Sequence, residues 1–290
     1  MNLPETRSRH PLAFVALATL VAVACFTAIP ANSLELVGIQ TALAASCMVV
    51  LLVAAEPDVL SQRFRRPFAE PACETRCVRK TFVFVAGVLF ANGLFVGIVT
   101  ALSITGKLPG EAMQVSAGPT FAPLGSIALF LAVCVATGVF EEGLFRGVIS
   151  RGFSDALRAE GRKSPALTGA IASAFVFGVL HTANAPVAEF AGEVVVAQLV
   201  AKTVQATLFG FVMSAVLSHT GSLWTVVLLH TGFNILSMGP AFALTGELPS
   251  TYATGDPVDL AVLLISAAFL VPLAVHAWRI LTHAAPPRTR

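Results

Sequence analysis

Eight stretches of roughly 18 to 25 mostly apolar residues dominate this chain, near 11–30, 34–55, 81–105, 124–145, 167–184, 194–218, 222–239 and 258–281, each long enough to cross a bilayer as a helix. Backbone crossing hydrocarbon must satisfy its own N–H and C=O groups, so helices are the expected form. With 56% hydrophobic and 12% charged residues over 290 positions, a soluble, disordered or disulfide-built fold is excluded. The expected fold is therefore all-α, a polytopic integral membrane protein with about eight transmembrane helices. Eighteen basic against sixteen acidic residues leave a net charge of +2, too balanced for a nucleic-acid partner.

Where the charges lie orients the spans. Arg7 and Arg9 precede the first; Arg63, Arg65, Arg66, Arg76, Arg79 and Lys80 fall between the second and third. Arg151, Arg158, Arg162 and Lys163 fall between the fourth and fifth, and Arg279, Arg288 and Arg290 close the chain. The alternate loops hold Lys107 as their only basic residue, beside Glu111, Glu189, Glu193, Glu247 and Asp256. This alternation predicts cytoplasmic N and C termini and a multi-pass protein of the cell membrane. The first span, after Arg7 and Arg9, reads as a retained anchor rather than a cleaved signal, because its apolar stretch is long. No internal repeat or separate hydrophilic domain is visible. The expected organisation is residues 1–120 as N-terminal spans one to three, 121–240 as a core of spans four to seven, and 241–290 as the last span and tail.

Of five cysteines, Cys25, Cys47 and Cys134 lie in apolar runs and read as small hydrophobes. Cys73 and Cys77 form a CxxxC without a second ligand pair nearby, which reads as two free thiols rather than a zinc knuckle.

Ionisable groups inside a span are costly and mark function. VFEEGLFRG brings Glu141, Glu142 and Arg146 together; FVFGVLHT contains Phe177 and His181 one turn apart; LLHTGFN places His230 and Asn234 at i and i+4. Glu142 and Arg146 have the spacing of a helix ion pair. Glu141 is turned about 100° away, so its carboxylate faces elsewhere. If the helix of span four continues to a boundary near Arg151, and the others enter near Ala170 and Ser222, then Glu141, His181, His230 and Asn234 lie about 15, 16, 12 and 18 Å deep. Under those boundaries the four groups can meet. A boundary at Arg146 with span five starting at Ser164 would separate Glu141 from His181.

Such a set is sufficient for peptide hydrolysis. A carboxylate away from bulk water takes a proton from water and returns it to a leaving amine. One histidine orients that water, while a second histidine and an amide donate to the developing oxyanion. Other intramembrane protease signatures are missing: there is no HExxH, Ala253 stands where a GxGD would need glycine before Gly255-Asp256, and Gly210 to Ser214 has the wrong spacing for a GxSx.

EExxxR at Glu141, Glu142 and Arg146, FxxxH at Phe177 and His181, and HxxxN at His230 and Asn234, in that order on successive spans, resemble the CPBP family of intramembrane proteases. That family includes the type II CAAX prenyl endopeptidases and bacteriocin-processing (Abi) proteins. GSLWTVVLLHTGFN also resembles its third motif. The resemblance covers about residues 120 to 240. It implies that Glu141 and His181 activate water, that His230 and Asn234 bind the oxyanion, and that Glu142 and Arg146 support them, with Phe177 in the second motif. No cofactor is favoured; if zinc is used, Glu141, His181 and His230 would hold it. The implied partners are the lipid bilayer and a membrane-associated or lipidated protein or peptide substrate. A prenylated substrate is not implied.

Gln198, Lys202 and Gln205 make a polar stripe at i, i+4 and i+7 on span six, which either lines the cavity, with Lys202 on a substrate carboxylate, or packs helices. His219, His276 and His283 read as interfacial, and Asn92 as an interhelical hydrogen bond. Two non-proteolytic readings stand beside the enzyme: a scaffold or regulator gripping a sensor or secretion partner through the same cavity, and, more weakly, a proton-coupled transporter.

Overall fold

A computed structural model describes residues 5, 7, 9–29, 33–55, 73–108, 121–182, 192–248 and 253–283, with the side chains of 73–78 outside the description. Arg63, Arg65, Arg66, Arg288 and Arg290, and the side chains of Cys73, Arg76 and Cys77, therefore lie outside the described residues, as do Glu111 and Glu189.

The described residues are helical and contain no strand. Helix α1 spans Pro11–Thr27, α2 Leu34–Ala55 and α3 Cys73–Ile104. Helix α4, Leu124–Glu142, runs without a break into a π-helical segment, Gly143–Ser150, and then into α5, Arg151–Ala159. The remaining elements are α6, Pro165–Leu180, α7, Glu193–Thr220, α8, Leu223–Thr245, and α9, Pro257–His283.

Six helices are long and apolar enough to cross a membrane, and α1 and α6 are shorter apolar helices. At 17 and 16 residues these two rise only about 24 to 26 Å, less than the hydrocarbon thickness of about 30 Å. Large apolar side chains stand exposed all round the bundle, among them Leu20, Val50, Val83, Val200 and Leu228. Lipid is the solvent that makes such a surface stable, and the chain is a multi-pass integral membrane protein.

Several boundaries differ from the sequence expectation. The fourth span does not stop at 145 but continues through the π segment to Ala159. Helix α6 ends at Leu180 with His181 at its C-cap, three residues before the expected 184. Helix α8 continues through Pro240 to Thr245 instead of stopping at 239. Pro240 has no N–H to give the Leu236 carbonyl, and that carbonyl lies against Gly97 of α3, where an added Cβ would collide with it. Gly97 thus lets α3 and α8 pack backbone to backbone. Gly97→Ala is expected to cost roughly 1–3 kcal/mol, seen as a lower melting temperature of the detergent-purified protein.

The helices close into a ring, with α2 on α4, α4 on α8, α8 on α3, α3 on α9, α9 on α7, α7 on α6, α6 on α5, α5 on α1 and α1 on α2. The π segment sits inside that ring, touching α1, α2, α6, α7 and α8, and all eight of its residues are buried. π geometry within α-helices is rare and concentrates at functional sites; here it directly follows Glu141 and Glu142.

Candidate active site

The end of α4 carries both carboxylates, and they face different neighbours. Glu142 is fully enclosed. Its Oε1 accepts a hydrogen bond from His230 Nδ1 at 2.6 Å, and its Oε2 lies 3.2 Å from Arg146 Nε, an ion pair without hydrogen-bond alignment. The Arg146 guanidinium, itself wholly buried, stacks over the Phe177 ring at 4.5 Å. Cation–π attraction is strongest when water is excluded.

Glu141 is turned to the other side of the helix. Its Oε2 lies 3.6 Å from His230 Nε2 and 4.0 Å from His181 Nε2, and has no hydrogen-bond partner in the protein. Exposure separates the two carboxylates: the side chains of Glu141 and His181 are 17% and 28% exposed, and that of Glu142 is 0%. Of the two carboxylates, only Glu141 belongs to a partly exposed side chain.

Each histidine is oriented through its other nitrogen. His181, at the C-cap of α6, donates from Nδ1 to the Phe177 carbonyl at 2.8 Å, since a carbonyl can only accept. His230 donates from Nδ1 to Glu142. Both Nε2 atoms are thereby presented to the same carboxylate oxygen. Ring packing holds the pose: Phe177 lies 4.2 Å from the His181 ring and Phe209 4.9 Å from the His230 ring, centroid to centroid. Asn234, one turn beyond His230 on α8, is buried.

The structure therefore brings Glu141, His181 and His230 together, with Glu142, Arg146 and Phe177 directly behind them. Helix α6 does begin at Pro165, yet Glu141 and His181 are not separated, because α4 continues through the π segment instead of ending at Arg146. Of the polar stripe, Gln198 donates to Thr254 Oγ1 and the Asp256 carbonyl, and Gln205 donates to Ser266 Oγ. Both tie α7 to α9 or to the turn before it. Lys202 donates to Gln205 Oε1 at 3.1 Å and is close enough to Glu141 for their charges to interact. Asn92 of α3 donates to the Ser266 carbonyl at 3.2 Å, an interhelical bond as expected.

Sequence reading missed Phe209, which looks like one apolar residue among many on α7. Its signal is its place seven residues after Lys202, on the same inward face. It also assigned Glu142 to Arg146 without seeing its second contact, to His230, 88 positions away.

Among the described residues, no group of three or more His, Cys, Asp or Glu side chains is arranged to hold a metal ion.

Residues 123–236 match the family model described as Type II CAAX prenyl endopeptidase Rce1-like. No curated protein and no solved structure matches the chain.

Proposed function

From a chain whose residues 123–236 form an Rce1-like domain of the CAAX protease family, we propose an intramembrane endopeptidase that uses a glutamate-activated water. The observation that carries this reading is Glu141, a partly exposed side chain whose Oε2 is faced by two imidazole Nε2 atoms and has no hydrogen-bond partner in the protein. Glu141 takes a proton from a water that His181 Nε2 orients, and the resulting hydroxide attacks the peptide carbonyl carbon. The carbonyl oxygen becomes an oxyanion that accepts hydrogen bonds from His230 Nε2–H and the Asn234 amide. Because His230 Nδ1 already donates to Glu142, an Nε2 donor requires both ring protons. The Glu142 carboxylate that accepts from Nδ1 compensates that positive ring. Collapse of the tetrahedral intermediate breaks the C–N bond, and Glu141 returns its proton to the leaving amine, giving a carboxylic acid and an amine.

The substrate is a membrane-associated or lipidated protein or peptide that reaches the site from within the bilayer. The charge pattern of the loops supports eight spans with both termini in the cytoplasm, in a cell membrane, with α1 and α6 crossing as short, locally thinning helices. The test is cleavage of a library of membrane-protein tails and peptides by purified protein in detergent, with and without EDTA. Cleavage that survives chelation is the expected result. Loss on chelation with recovery on added zinc would overturn the metal-free mechanism, and no cleavage of any member would overturn the protease.

A further inference from the structure

Along the membrane normal, the protein is built differently on the two sides of Glu141. Beyond Glu142 the chain enters the π segment, whose eight residues are all buried and which packs on α1, α2, α6, α7 and α8. Against this segment α7 is buried on every face from Phe209 to Leu217, and a Cβ on its Gly210 would meet the Arg146 guanidinium. On α8, every residue from Leu223 to Thr231 is buried except Trp224 and Leu228. Helices enclosed over whole turns leave no passage between them. This closed layer stands between Glu141 and the segment that carries Arg151, Arg158, Arg162 and Lys163, the side that the loop charges make cytoplasmic.

On the opposite side the packing loosens. From Gly232 to Pro240, α8 keeps only Asn234 buried. Before the π segment α4 packs on α2 and α8, and its substantial contact with α6 and α7 begins only with the π segment. His181 closes α6 at the end farthest from the Arg162–Lys163 turn, and the side chains of Glu141 and His181 keep partial exposure. Thr137, one turn before Glu141 on the same face of α4, is likewise half-buried.

We propose that the site opens on the non-cytoplasmic side alone, between the outer half of α4 and the α6–α7 pair. Its substrates are then membrane-anchored proteins or peptides whose cleavable segment stands on that side, not cytoplasmic tails. The substrate class rests on the proteolytic reading of the site, whereas the sidedness rests on packing and loop charge. A segment arriving from that side meets Glu141 before it meets the closed layer.

The sidedness is tested by thiol labelling. Thr137→Cys and Arg162→Cys, the latter in the exposed basic turn, are each made in a protein whose five native cysteines are replaced by alanine. Right-side-out and inverted membrane vesicles are treated with a membrane-impermeant maleimide. Thr137→Cys is expected to label in right-side-out vesicles only, and Arg162→Cys in inverted vesicles only. Labelling of Thr137→Cys from the inverted side, from both sides or from neither overturns the proposal, as does labelling of Arg162→Cys from outside. A second arm uses the wild-type protein and requires no variant to fold. A charged, internally quenched peptide that the detergent-purified protein cleaves is added to both vesicle types. Cleavage in right-side-out vesicles, with activity in inverted vesicles absent until detergent opens them, is the expected result, and the reverse overturns the proposal. If purified protein cleaves no peptide, the proteolytic reading falls and the substrate class with it, while the labelling still decides which side the site faces.

Discussion

Glu141→Gln is expected to lower kcat for peptide cleavage by about 10²- to 10⁴-fold, the range for removal of a positioned general base, without unfolding the protein. Glutamine keeps the size and one oxygen of the side chain but cannot take a proton from water. Because Glu141 Oε2 has no hydrogen-bond partner in the protein and glutamine fills the same space, the melting temperature should stay close to wild type. His181→Ala and His230→Ala should also impair turnover, His230→Ala more severely, since it removes the oxyanion donor and strips Glu142 of its hydrogen bond. The measurement is kcat on one cleaved peptide, paired with a melting curve for each variant. If Glu141→Gln retained a tenth or more of the wild-type rate, another base would have to be sought.

Glu142→Ala should show the opposite balance, with a large loss of stability as well as activity. Arg146 is wholly buried, and Glu142 is its closest counter-charge, at 3.2 Å. Removing one partner of a buried pair strands the other charge, at a cost of about 3–5 kcal/mol. Arg146→Met should be comparably damaging, because it strands Glu142 and removes the cation over Phe177. The double variant Glu142→Leu with Arg146→Met should lose less than the sum of the two single changes, as coupled residues do. These effects are read as shifts in the denaturation midpoint of purified protein. Additive losses would show that the pair is not energetically coupled and that the segment is held by packing alone.

These two predictions separate neighbouring glutamates that look equivalent in sequence. The EExxxR pattern and helix geometry are enough to say that one carboxylate pairs with Arg146 and that the other is turned away. What lies opposite the second carboxylate is not a local property. His181 and His230 come from α6 and α8, and their Nε2 atoms converge on Glu141 because Phe177's carbonyl and Glu142 each take an Nδ1 proton. The π segment could not be foreseen either: GVIS and the residues around it have no local mark that distinguishes a wider helical turn from an ordinary one. Yet this segment keeps α4 continuous past the carboxylates and buries Arg146.

The stripe on α7 shows the same limit. Gln198, Lys202 and Gln205 share one inward arc, but the two glutamines reach α9 and its preceding turn, while Lys202 lies close enough to Glu141 for their charges to interact. Spacing alone cannot divide them, since residues a turn apart diverge once their neighbours differ.

By itself the sequence determined the all-helical membrane class, the order of the spans, the clustering of basic residues in alternate loops and the three polar motifs. Each of these depends only on composition and spacing along the chain. The tertiary structure decided which carboxylate borders the open side, which histidine nitrogen faces it and which polar residues merely bind helices together. Helices that are apolar all round bear no stripe showing which face turns inward. Their rotation is set by small-residue contacts such as Gly97 on Leu236 and by buried polar bonds between residues far apart in the chain, as from His230 to Glu142.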